Sequence, residues 1–510
     1  MFADIGHFVR LARAGAILAR EGVFADVDGN LLPASARIPL FVARLVPRRK
    51  SVDSGNRIAI AMARLGPSYV KLGQFLATRP DVVGMKMVRE LESLQDRMAP
   101  FGRAKAVEII EAAFEGKIDS FFVEFSEPVA AASIAQVHRA TLPDGSQVAV
   151  KVVRPGVQRR FRRDLSDMFF AARLAERLVP DAARLRPVEV VETLARSMSI
   201  ELDLRLEAAA ASEFAENCAQ DTDFRVPKVD WDRTAKDVLT LEWVDGIPLS
   251  DLTGLEKSGR DLPALGRSVI QSFLRHAMRD GFFHADMHPG NLFMDSEGRL
   301  VAVDFGIMGR LGRKERRFLA EILFGFITRN YRRVAEVHFE AGYVPRVYDI
   351  DDFAQAIRAI GEPIHSRTAD QISMAKLLTL LFEVTALFEM RTRTELVMLQ
   401  KTMVVVEGVA RTLDPHLNMW VTSEPVVRSW IEENLGPVGR LRDLREGAGH
   451  AVRFVQLLPK LATRMENWAN ELPTSPKAEI RKAEATLSRW AHLALWLIVI
   501  LLAWLAMRGR

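Results

Sequence analysis

The chain has 510 residues, enough for two or three domains or for one large domain with helical additions. Hydrophobic residues make up 49% and charged residues 26%, which argues for a folded protein rather than a disordered one. A formal net charge of +5 without an aromatic-studded basic stripe argues against a nucleic-acid partner, and the lone Cys218 excludes an intrachain disulfide and any multi-cysteine zinc site. Cys218 reads as a packed small residue, in keeping with a reducing compartment.

At the N-terminus Arg10, Arg13 and Arg20 interrupt every apolar run before it reaches the length of a signal core. Phe2–Arg20 reads as an amphipathic helix, lying on a membrane surface or docked on the protein itself. Pro33, Pro39 and Pro47 then punctuate a basic stretch. Helical periodicity runs through Ile58–Leu65, halts at Gly66-Pro67 and resumes from Ser68 to about Thr78. Lys71 and Gln74 share one face of that second helix, and Gly73 leaves room for another backbone. Met85–Met98 and Arg103–Phe114 read as further helices, so everything before about residue 118 is helical.

Residues 121–153 change period. Phe121–Phe125 reads as a strand, Pro128–Ala135 as a loop of small residues and Gln136–Thr141 as a second strand. Pro143-Asp-Gly-Ser146 is a turn signal, and Gln147–Val153 a third strand. Within it Lys151 falls on the face opposite Val148, Val150 and Val152, where it suits a phosphate site; the bland alternative is a gatekeeper lysine on an edge strand. Ala130, Ala131 and Ala132 cannot adopt positive φ as freely as glycine, which predicts a stiff loop.

Val157–Leu178 and Pro187–Asn217 read as helices. The second carries Glu201, Asp203 and Glu207 among Arg196 and Arg205, a pattern that helical salt bridges alone would explain. Residues 237–251 read as a buried strand running into a Gly-Pro turn, a hinge whose Glu242–Val244 would offer backbone groups to an adenine edge. A helix from Ala264 to Asp280 leads to the most informative stretch of the chain, Phe282–Gly306.

There Asp286 is followed five residues later by Asn291 and thirteen after that by Asp304. This is the order and spacing of a kinase-type catalytic loop, a strand hairpin and a metal-binding Asp-Phe-Gly. The hairpin, turning at Asp295–Gly298, would bring Asn291 and Asp304 together to hold Mg²⁺ on a triphosphate, with Asp286 placed as base to an attacking hydroxyl or water. Only about seven residues separate Gly306 from a basic helix, and no Ala-Pro-Glu follows. Helical patterning with short connectors continues to about residue 485. Trp490–Met507 is then an 18-residue apolar run broken by His492 and flanked by Arg489, Arg508 and Arg510. At roughly 27 Å it reads as a single membrane-spanning tail.

These motifs resemble the UbiB family of atypical protein-kinase-like proteins, linked to ubiquinone biosynthesis. The matching residues are KLGQ at Lys71–Gln74, AAAS at Ala130–Ser133, VAVK ending at Lys151, ELDLRLEA at Glu201–Ala208, HADMHPGN at His284–Asn291 and DFG at Asp304–Gly306. One departure is Met287, where the family pattern leads us to expect proline. The resemblance implies an α+β, protein-kinase-like two-lobed fold with a helical N-terminal extension (1–118), N-lobe (119–245), C-lobe (246–425), helical C-terminal region (426–488) and transmembrane tail (489–510). It implies ATP and Mg²⁺ as cofactors, with Ala130–Ser133, Lys151, Glu207, Glu242 and Val244 around the nucleotide. Lys151 would contact the α- and β-phosphates and Asp286 would be the catalytic acid residue of its loop, with Asn291 and Asp304 as metal ligands. Glu207, in preference to Glu201, would pair with Lys151, while Glu201 and Asp203 would face Lys71 and Gln74 in a regulatory cover. Expected partners are membrane lipids, ubiquinone precursors and other ubiquinone-biosynthesis enzymes, with a homodimer left open, at a bacterial inner membrane with the kinase-like domain on its cytoplasmic side. Competing readings are a nucleotide- and lipid-binding scaffold and a choline- or aminoglycoside-kinase-like phosphotransferase. A hydroxylase finds no support, because the chain has neither a dinucleotide fingerprint opening a helix nor an evident iron site.

Overall fold

The computed structural model describes residues 2–24, 41, 43–46, 56–77, 83, 87, 90, 91, 94, 98–178, 186–365, 384, 387–390 and 394–436. Two compact units divide the chain, Met1–Ile431 and Glu432–Arg510, and nearly all described residues belong to the first. The expected tail, Trp490–Met507, lies outside the described residues. Among those that are described, no helix is long and apolar enough to cross a membrane.

Helices open the chain: α1 (Phe2–Arg20), α2 (Arg57–Leu65), α3 (Pro67–Ala77) and α4 (Arg103–Phe114). The sheet that follows has the order β1-β2-β3-β5, all neighbours antiparallel, from β1 (Glu124–Ala131), β2 (Ala135–Thr141), β3 (Gln147–Val153) and β5 (Val238–Glu242). The β2–β3 turn closes because Asp144 Oδ1 accepts the Ser146 N–H at 2.9 Å and Gly145 takes φ 85°. Lys151 is therefore on an interior strand, and the edge-strand alternative falls. Val148, Val150 and Val152 are buried with Ala106 and Ile110 of α4, Phe122 and Phe125, so the alternation seen in the sequence is the two faces of this sheet.

Two expectations change here. Phe121 and Phe122 precede the strand rather than forming it, and β1 runs on through Ala130 and Ala131, which pair with Val137 and Gln136. The small-residue loop thus shrinks to a tight turn over Ala132–Ile134. Alanine fits an extended strand without the entropic penalty glycine carries, so the triple alanine lengthens a hairpin where glycine would loosen it.

Beneath the sheet lie α5 (Val157–Leu178), α6 (Pro187–Glu201) and α7 (Leu204–Asn217). The single helix expected over Pro187–Asn217 breaks at Leu202-Asp203, because the Asp203 side chain accepts the Arg205 N–H at 3.2 Å and caps a new helix. Phe161, Leu194, Met198, Leu204, Leu239 and Leu241 form the core between these helices and the sheet, with Tyr69, Leu72 and Phe75 of α3 packed against it.

The larger second core is built from α9 (Leu262–Arg275), α10 (Arg313–Ile327), α13 (Thr394–Leu413) and α14 (Met419–Leu435), around short strands. β4 (Phe224–Arg225), β9 (Leu300–Ala302), β8 (Leu292–Asp295) and β6 (Gly246–Pro248) make one small sheet, and β7 (Phe282–His284) pairs with β10 (Met308–Arg310) in another. Buried Cys218 sits here, as expected, between α7 and α9.

One helix is anchored in part by a buried carboxylate. Asp167 of α5 accepts from Arg10 Nε at 2.7 Å and lies 2.5 Å from His7 Nδ1, fixing α1 with Ile5, Phe8 and Val9 outward and exposed. Asp167→Ala removes an anchor of about 1–3 kcal/mol. Hydrogen exchange across residues 5–20 should therefore accelerate while the sheet stays protected; a uniform loss of protection would show that α1 unfolds only with the whole unit.

Candidate functional site

β3 delivers Lys151, α7 delivers Glu207, and the segment after β9 delivers Asp304, and these three side chains meet. Lys151 Nζ donates to both oxygens of Glu207, at 2.7 and 2.9 Å, and to Asp304 Oδ1 at 3.1 Å. Glu201 sits apart and pairs with Lys71 Nζ at 2.7 Å, both largely buried. The Asp203 carboxylate is engaged by the Arg205 side chain, at 2.9 and 2.7 Å, as well as by the helix cap. Gln74 lies half-buried one turn beyond Lys71. A side chain at Gly73 would overlap Leu94, Met62 and Leu91, so that glycine admits side chains rather than the backbone expected there.

The electrostatics follow from two carboxylates sharing one ammonium. Burial disfavours charge on Lys151, but Asp304 and Glu207 outweigh it and raise its pKa, keeping it an ammonium. Burial also pushes against ionised Asp304, yet Lys151 and then Lys71 hold its carboxyl well below the usual range. Lys71 is thus near enough to act on the metal-ligand candidate directly. Glu207 is the more buried carboxylate, and burial, reinforced by Asp304, pushes it up to about 7 against the pull of Lys151.

The catalytic loop between β7 and β8 is tied down at several points. His284, fully buried, accepts the Asp286 N–H on Nδ1 at 3.1 Å and donates from Nε2 to the Val303 carbonyl at 3.1 Å. One ring thereby fixes the base candidate to the residue before Asp304, and burial lowers its pKa so that it stays neutral. Asn291 donates to the Asp286 carbonyl at 3.1 Å, which leaves its Oδ1 for another partner. The β8–β9 pairing brings Val303 N–H onto the Asn291 carbonyl at 2.9 Å, so Asn291 and Asp304 sit at one end of the hairpin. Asp304 holds φ 64°, a left-handed conformation that costs a non-glycine residue about 1–3 kcal/mol. Asp286 itself is left exposed to the cleft. Met287 is buried in the second core, so packing replaces the rigidity a proline would supply.

Sequence reasoning missed three supports. The Thr402 hydroxyl of α13 lies 2.9 Å from the Ala285 carbonyl and shares its one proton with the Met398 carbonyl of its own helix at 2.8 Å, bringing the loop against a helix more than a hundred residues downstream. Met98 N–H donates to the Ala131 carbonyl at 3.2 Å, and Phe101 and Gln136 exchange bonds at 2.9 and 3.1 Å, clamping the alanine hairpin to the N-terminal extension. His284 was inside a recognised motif, whereas nothing in the local pattern marks Thr402 or Met98. Among the nucleotide candidates, Ser133 is fully buried in the turn at Ala132–Ile134, whereas Ala130 is exposed. The N–H groups of Glu242 and Trp243 are taken by the carbonyls of Lys228 and Gln147 at 2.8 and 3.0 Å, and the Glu242 carboxylate by Arg225 at 2.9 Å. The Val244 N–H has no protein partner among the described residues, so the hinge donor moves from Glu242 to Val244.

A model of the ABC1 atypical kinase-like domain matches residues 93–338, and one of the UbiB helical domain matches residues 357–418. Proteins named probable protein kinase UbiB are similar over most of the chain. That of Marinobacter nauticus is 37% identical over 486 residues, 94% of this chain and 88% of that protein. The chain belongs to the UbiB family. The Xylella fastidiosa relative is 38% identical over 89% of this chain and 83% of its own, and that of Pseudomonas aeruginosa 40% over 79% and 77%. A Mycobacterium tuberculosis protein solved with erythromycin shares the fold, with a TM-score of 0.52, 24% identity and coverage of 77% of this chain and 98% of that one.

The donor set fits a hard divalent cation. It offers the Asp304 carboxylate and the Asn291 amide oxygen, hard oxygen ligands of the kind such an ion takes. A second group, Cys218, Asp221 and His276, has ligand atoms close together. Its carboxylate is already matched by Arg279 at 2.6 Å and Arg275 at 3.4 Å, so it reads as a core network rather than a metal centre.

The raised Glu207 makes a stability prediction. Its folded pKa of about 7 exceeds the ordinary 4.5, so the folded chain binds an extra proton between those values. Stability from this group rises as pH falls from about 7 toward 4.5 and is lost as pH rises through about 7. Glu207→Gln should flatten that part of the stability profile in denaturant titrations; an unchanged slope would show that Glu207 stays ionised in the fold.

Proposed function

We propose that this protein is a Mg²⁺-dependent ATPase or atypical kinase that acts on a small or lipid-like acceptor at a membrane, in support of ubiquinone biosynthesis. The observation that carries the reading is the bond of Lys151 to Asp304, at the end of a hairpin whose Asn291 is bonded to the Asp286 carbonyl, in a chain whose relatives are named probable protein kinases. Lys151 would hold the α- and β-phosphates, the hairpin tip at Ala130–Ala132 would cover them, and the Val244 N–H would meet the adenine edge. Asp304 and Asn291 would hold Mg²⁺, which neutralises charge on the phosphates. Asp286 would orient the acceptor hydroxyl and take its proton as the new oxygen–phosphorus bond forms and the bond to ADP breaks.

Two observations favour a small acceptor over a peptide. Only Ile307–Gly312 separates Asp-Phe-Gly from α10, and three of those residues form β10 against β7, which leaves no segment for a peptide platform. The α3 helix also stands close over the site through Lys71 and Glu201. The ubiquinone assignment follows from the family resemblance. Membrane attachment rests on the Trp490–Met507 run and on the outward apolar face of α1, with Arg13 and Arg20 also exposed.

Asp304→Asn should weaken ATP binding in Mg²⁺ by about tenfold or more. Asp286→Asn should leave binding nearly unchanged and cut turnover by roughly 10²–10⁴-fold. Isothermal titration beside phosphate release separates the two, and equal loss of binding in both would overturn the roles. Efficient labelling of a peptide library by the unmutated protein would defeat the small-acceptor reading.

Removing Trp490–Arg510 should move the protein from the membrane pellet to the supernatant with ATP binding intact. Persistent pelleting would transfer the anchor to α1, which Phe8→Glu would then release.

A further inference from the structure

The motif His284–Asn291 contains a second histidine that the reading above leaves unused. His288 lies two residues after Asp286 and three before Asn291. Its Nδ1 accepts the Gly290 N–H at 3.0 Å, and its carbonyl accepts the Asn291 N–H at 2.9 Å. A ring whose Nδ1 is an acceptor carries its proton on Nε2. That Nε2 lies 3.8 Å from Asp286 Oδ2, too far for a hydrogen bond, and it has no other protein partner among the described residues. His284 spends both nitrogens inside the protein. His288 spends one and leaves a directed N–H beside the base.

The loop is shaped to keep the ring there. A Cβ on Gly290 would stand 3.0 Å from His288 Cε1 and 3.1 Å from Nδ1, so a larger residue there would require the imidazole to give by a few tenths of an ångström. The side chain is 48% exposed, comparable to 41% for Asp286, and the two open onto the same space.

We propose that His288 is a further catalytic residue, whose Nε2–H donates a hydrogen bond to the oxygens of the phosphoryl group as it passes between ATP and the acceptor beside Asp286. This rests on the phosphoryl-transfer reading above. No proton leaves the ring: Asp286 takes the acceptor's proton, ADP departs, and His288 stabilises charge that is spread over the phosphoryl oxygens only during transfer. A donor fixed in advance next to developing charge is the arrangement that lowers such a barrier. The contact is made in the transition state, so its loss should fall on kcat rather than on KM.

The two nitrogens can be tested apart. Asparagine supplies a carbonyl near the place of Nδ1 and keeps the Gly290 bond, whereas glutamine reaches the place of Nε2 and keeps the outward donor. On full-length protein in detergent with Mg²⁺, His288→Asn should lower kcat for ATP hydrolysis by about 10–100-fold with KM within about twofold. It should lose a similar share of the preference for ADP–aluminium fluoride over ADP. His288→Gln should retain most of both. Rescue by asparagine and not by glutamine would overturn the proposal and make the ring a clamp on the loop backbone. Unchanged kcat and unchanged analogue preference in both variants would also overturn it. Should the unmutated protein fail to hydrolyse ATP in a manner abolished by Asp286→Asn, the phosphoryl-transfer reading falls separately. The fluoride-analogue preference then decides His288 alone.

Discussion

One ammonium between two carboxylates holds the site together. Lys151 comes from the third strand, Glu207 from a helix 56 residues further on, and Asp304 from a loop 153 residues away. A buried charge without partners costs several kcal/mol, so a structure that buries Lys151 must bring both acids to it. The register of β3 against β2 and β5 aims the lysine, the cap at Asp203 starts α7 in the phase that turns Glu207 inward, and the strained Asp304 backbone turns its carboxylate toward the same point.

The second ion pair copies this logic one layer out. Lys71 and Glu201 are largely buried and join α3 to the end of α6, immediately before the break from which α7 departs. Lys71 also acts on Asp304. The extension is therefore coupled to the metal-ligand candidate through charge as well as packing, while Met98 and Phe101 fasten the extension to the alanine hairpin. A displacement of the extension would disturb both the hairpin and the surroundings of Asp304 together.

What the sequence made legible depended on how local its cause was. The alternation around Lys151 revealed its face because neighbouring valines are buried by the same sheet, and the Asn291-to-Asp304 spacing revealed a hairpin because strand pairing is short-range. The cap at Asp203 was not legible, since the break at Leu202-Asp203 interrupts a helical pattern that reads as continuous from Pro187 to Asn217. Ala130–Ser133 read as a loop by composition, yet cross-strand pairing extends β1 through Ala131 and Ser133 is buried in the turn that follows. Thr402 could not have been found: its role is set by where α13 packs, not by any residue near it in the chain.

That long-range tie changes how the site is organised. In a kinase with a long segment after Asp-Phe-Gly, ordering that segment completes the site. Here the corresponding stretch is a three-residue strand locked to β7, and the catalytic loop is held from behind by Thr402, from within by His284 and at its tip by buried Met287. No described element has to fold for Asp286, Asn291 and Asp304 to come together. On the proposed reading, constraint then falls less on assembling these residues than on access to them, past an alanine hairpin clamped by the extension and a helix pinned by Lys71. The residues left open to the cleft, Asp286 and His288, are those that would meet the acceptor and the group in transit.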